Sequence, residues 1–86
     1  MGQSFESVGL DADSYFERGI ACSTGVQGAA IDLIEAHKWF NLAAMNGSGV
    51  AQAWRAEIAE QMSPREIALA QRQARAWLTS SMRLAA

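Results

Sequence analysis

The stretch "EAHKWFNLAAMNG", Glu35 to Gly47, decides how this chain folds. Ala36, Phe40, Ala43 and Gly47 follow one helical stripe, and Trp39 with Leu42 lies on a neighbouring one. A helix apolar on two sides is sandwiched between other helices. Ala43 and Ala44 let a neighbour approach closely, and Trp39 with Phe40 fills the volume beside them. His37 and Lys38 are expected on the remaining polar side.

The punctuation on either side of this stretch sets the other helices. Asp32 caps the helix, with Glu35 three residues on in a capping-box-like pair, and Asn46–Gly47 stops it. Upstream, a first helix is expected from about Asp13 to Cys22, with Phe16 and Ile20 one turn apart. It closes at Gly25, which tolerates a left-handed cap. The loop "GVQGAAI" follows, where Gly25 and Gly28 permit a tight reversal. Downstream, Ser48 caps a third helix carrying Val50, Trp54, Ile58 and Met62 at a stride of four, an apolar ridge. "MSPRE" then places Ser63 at a cap, Pro64 at the first helical position and Glu66 three past the cap. The fourth helix runs from Pro64 towards Leu78 and is expected to fray beyond Ser80. Short connections make consecutive helices antiparallel, and no alternating stretch argues for a strand. The chain reads as all-α.

A shift of 38 residues superposes the two halves. Phe16 falls on Trp54, Ile20 on Ile58, Ala36 on Ala74, Trp39 on Trp77 and Phe40 on Leu78. Two helices per unit at such a period mark a helical solenoid. The expected organisation is a flexible lead-in over 1–12, a first hairpin over 13–47 and a second, degenerate or capping hairpin over 48–86. The two hairpins would stack as a short α-α superhelix.

These residues also carry a resemblance. Gly19, Gly25, Gly28, Asp32, the run Ala36, Trp39, Phe40, Ala43, Ala44 and Gly47, and then Ala51, resemble the Sel-one-like repeat. That family is a relative of the tetratricopeptide repeat. The match is close from Tyr15 to Ala51, and the continuation resembles the closing hairpin of bacterial members. The chain departs from the pattern at Cys22, where the family usually has an aromatic, and in a loop one residue longer. The resemblance implies a protein-interaction module that serves as an adaptor in assembly or signalling.

Composition narrows the function classes. Eighty-six residues make one small domain, near the size where a core supplies only ~3–5 kcal/mol. Seventeen alanines and a single proline favour closely packed helices. One cysteine excludes an intramolecular disulfide and a cysteine-rich zinc site. No apolar run reaches membrane-spanning length and no signal peptide opens the chain, so a cytoplasmic protein is expected, with a periplasmic or exported one left open. Residues 1–50 hold six acidic side chains against Arg18 and Lys38; residues 51–86 hold five arginines against three glutamates. The net charge of −2 does not make nucleic acid the natural partner.

Candidate chemistry is sparse. His37 is the sole histidine, and neither Cys22 nor Asp32 stands in a recognised spacing with it, so no catalytic residue, metal ligand or cofactor site is expected. A small enzyme or metal site at His37 is one alternative. A nucleic-acid binder using Arg65, Arg72 and Arg75 of the fourth helix is another, although that helix lacks interleaved aromatics. Cys22 lies near a helix C-terminus, which disfavours a thiolate. The expected function is therefore non-enzymatic binding of a protein or peptide, with neither nucleic acid nor membrane as partner. If the first helix of each hairpin lines a groove, Arg18, Gln52 and Arg55 are its polar contacts. Two units are fewer than the about three that stabilise a stack, so assembly into a homodimer is also expected.

Overall fold

In a computed structural model, the described residues are 11–25, 28 and 30–85, with side chains described to Ser81. They form four helices: α1 Ala12–Thr24, α2 Leu33–Met45, α3 Gly49–Ala59 and α4 Pro64–Ala85. Most of the lead-in (1–10) and the loop residues Val26, Gln27 and Ala29 lie outside them.

Each helix start is fixed by a side chain that accepts an otherwise unpaired amide. The Asp11 carboxylate accepts from Ser14 N at 2.8 Å, Asp32 from Glu35 N at 3.1 Å and Ser48 Oγ from Ala51 N at 3.1 Å. At Ser63 the box is reciprocal. Glu66 N donates to Ser63 Oγ at 3.1 Å and Ser63 N donates to Glu66 Oε1 at 2.9 Å. Only the forward half forms at Asp32. Its own amide donates to the Cys22 carbonyl at 2.8 Å, and the Glu35 carboxylate pairs with Lys38 at 3.0 Å.

Four boundaries differ from the sequence expectation. The first helix starts one residue earlier, because Asp11 is the cap. It ends two later, where Ser23 and Thr24 donate their hydroxyls to the Ile20 carbonyl before Gly25 turns left-handed at φ 76°. The third ends at Ala59, so Met62 is buried in the connection, not on the helix. The fourth continues past Ser80 to Ala85, since neither Gly nor Pro interrupts it after Pro64.

α2 is the hub. It packs along α1, α3 and α4, whereas among the described residues no comparably extensive contact joins α3 to α4. Phe16 with Phe40 and Asp32 with Cys22 make α1 and α2 antiparallel; Asn41 with Arg55 and Phe40 with Trp54 do the same for α2 and α3. Ala36, Phe40, Leu42 and Ala43 are fully buried and Trp39 nearly so. Gly19 explains how α1 comes so close: a Cβ there would sit 2.5 Å from the Phe40 ring. Two pairs that the 38-residue shift superposes are in ring contact, Phe16 with Trp54 at 6.0 Å and Trp39 with Trp77 at 5.0 Å.

His37 corrects the reading of the opening stretch. It is not on a polar side but buried, 3% exposed, because a helix covered by three others keeps almost no free face. Lys38 is half-buried, its ammonium 4.3 Å from the centroid of the Trp39 ring.

Candidate interaction surface

α1 and α3 run in one direction, both antiparallel to α2, with Phe16 in the first half of α1 against Trp54 midway along α3 and with Ser23 and Thr24 lining the same groove as Ile58 and Gln61. Between them lies an open groove of about 480 Å³. Val50, Ala53, Trp54 and Ile58 supply its apolar wall, and Ser23, Thr24, Glu57 and Gln61 its polar edge. Val50 is 54% exposed and Trp54 38%, although both stand on the apolar ridge. Only Ile58 at the far end of that ridge on α3 is buried. Met45, at the end of α2 just before this helix, is exposed as well. An apolar strip of this kind is uncommon on a surface with no partner.

Arg18, Gln52 and Arg55, the polar contacts expected from the sequence, are not gathered in this groove. Arg18 places its guanidinium 4.8 Å from the centroid of the Trp39 ring and 5.9 Å from that of Trp77. Trp77 in turn donates its indole N–H to the Tyr15 hydroxyl at 3.1 Å. Arg55 is half-buried and donates Nη1 to Asn41 Oδ1 at 2.6 Å, tying α3 to α2. Gln52 is exposed on α3. The groove-lining residues missed from the sequence are Val50, Ala53, Trp54 and Glu57. The signal available was Glu57, a charge three residues after Trp54 on a ridge that reads as core.

Among the signature positions, Gly19, Ala36, Trp39, Phe40, Ala43 and Ala51 are buried and Ala44 is half-buried. Gly25, Gly28 and Gly47 turn the chain with positive φ, and Asp32 caps α2.

His37 and Cys22, outside the groove, are both shaped by burial. His37 Nδ1 is buried without a hydrogen-bond partner. Burial pulls the imidazole pKa below its ordinary value, and the charge of Arg55 pushes the same way. The ring is therefore kept neutral. Burial pushes the Cys22 thiol up, helped by Glu35 and Asp32, which makes it a poor nucleophile. Among the described residues no three His, Cys, Asp or Glu side chains come together as a metal site. No helix among them is long and apolar enough to cross a membrane. Arg65, Arg72 and Arg75 are exposed on α4.

Among the described residues, geometry therefore defines an all-helical arrangement with an apolar groove between α1 and α3. Comparison with known proteins finds no matching family, no matching curated protein and no matching solved structure.

Proposed function

We propose that the chain is a non-enzymatic helical-repeat module that binds a protein or peptide, acting as a cytoplasmic adaptor or scaffold. In this reading its two helix pairs form a short tetratricopeptide-like stack of the kind the Sel-one-like resemblance implies. The ring contacts between positions 38 residues apart, Phe16 with Trp54 and Trp39 with Trp77, support the stack. One observation carries the binding role: the α1/α3 groove exposes Val50 and Trp54 beside a carboxylate, while Trp39, Phe40 and Leu42 of α2 are buried. An apolar anchor with a basic neighbour would fill such a groove.

Selection from a displayed peptide library tests this. The expected outcome is enrichment of peptides that pair an apolar anchor with Lys or Arg, lost when Val50→Glu puts a charge on the apolar wall. Absence of enrichment, or enrichment indifferent to Val50→Glu, would contradict it.

A further inference from the structure

We infer that the α3 groove is filled by α4 of a second copy of this chain, in a closed two-fold dimer. The inference rests on reading the groove as an interaction surface and names its occupant. Three features of the surface converge on it.

The first is charge. Glu57 in the groove wall and Glu60 just beyond α3 are exposed and make no ion pair among the described residues. Arg72 and Arg75 on α4 are likewise exposed and unpaired. Each pair is three residues apart, so each places its charges about 4.5 Å apart along the helix axis, taking helical rise through residue 60. Laid antiparallel, Arg75 meets Glu57 and Arg72 meets Glu60.

The second is shape. In that alignment Thr79 is level with Ala53 and Ala76 with Ala56, all exposed, and these small side chains on either side of the level of Trp54 leave room for its exposed indole. The inner face of α4, with Ala70, Ala74 and Trp77, stays on α2 as in the single chain.

The third is that neither surface is used internally. Among the described residues α3 and α4 share no extensive contact, and Glu57, Glu60, Arg72 and Arg75 are all exposed, so the acidic face and the arginine face are both left open. A two-fold axis satisfies both at once, because each copy supplies one groove and one α4.

Sedimentation equilibrium from 1 to 200 µM tests the proposal on the full chain. The wild type is expected to reach twice the 9.3 kDa chain mass at low salt. Raising salt to 500 mM should weaken the dissociation constant by about tenfold, the scale that four exposed ion pairs give. Two charge-reversed chains provide the decisive arm, Arg72→Glu with Arg75→Glu and Glu57→Arg with Glu60→Arg. Each alone should be monomeric, since both of its contacts become like-charged. Mixed together they should form a heterodimer, because both contacts are again opposite in charge. A monomeric wild type at 200 µM and low salt overturns the proposal, as does a reversed chain that dimerises like the wild type or a mixture that stays monomeric. Peptide selection on Val50 separates the two readings: a monomer that still enriches peptides keeps the binding role and loses only this occupant.

Discussion

The two helix pairs use corresponding positions to opposite ends. In α1 and α2, Tyr15 is buried against Trp39 with centroids 5.8 Å apart, and Gly19 lets Phe40 press directly on the α1 backbone. The shift of 38 residues puts Ala53 where Tyr15 stands and Glu57 where Gly19 stands. A small side chain there fills less volume, and a glutamate leaves no room for the approach that Gly19 gives. The first pair therefore closes. In the second pair α4 leans on α2 instead, and α3 keeps an apolar side open to solvent. The largest fully buried side chains, Tyr15, Phe40 and Leu42, lie in the first pair, and the exposed apolar Val50 and Trp54 lie in the second.

Substitutions can break that contrast in order of expected size. Trp39→Ala empties the site where Tyr15, Trp77 and Arg18 converge and should cost ~3–5 kcal/mol. That is the scale of the whole domain's stability, so a urea melt should begin largely unfolded. Gly19→Ala comes next. The Phe40 ring it would strike is fully buried and has nowhere to move, so about 1–3 kcal/mol should be lost in the same melt. Ser63→Ala removes one half of the α4 box and should cost about 1 kcal/mol. Val50→Ser on the open face should change the melt by less than about 0.5 kcal/mol.

His37 sharpens the contrast through pH. Its native pKa lies below the unfolded value near 6.5, so the unfolded chain takes up a proton before the native one does. The stability this gives is fully present above pH 6.5 and is lost as pH falls through 6.5 towards the lowered native value. Melts between about pH 7 and pH 5 should show the decline, and His37→Phe should flatten it. An equal slope in both proteins would show that His37 is not the group responsible.

Helix ends were readable from the sequence because caps are local. Asp32, Ser48 and the Ser63–Glu66 box lie where their own hydrogen bonds require. Burial of Trp39 and Phe40 was readable too, from alanines spaced along α2. His37 was not, because a polar residue beside Lys38 looks solvated until three neighbours are known to surround its helix. The groove was hidden for a related reason. The stride of Val50, Trp54 and Ile58 shows an apolar stripe, but whether a neighbour covers it depends on α4, whose path is set by contacts far away in sequence. Arg18 and Arg55 read as groove contacts from their place on the first helix of each pair. Their side chains turn instead to Trp39 and Asn41.

Amide hydrogen exchange on the dilute chain at high salt, where association is suppressed, tests the central contrast most directly. The amides of Phe40 to Ala43 should exchange at the global unfolding rate, and those of Ala53 to Ala56 at least about tenfold faster through local opening of α3. Equal protection of the two segments would contradict the account, since α3 would then belong to the same cooperative unit as α2.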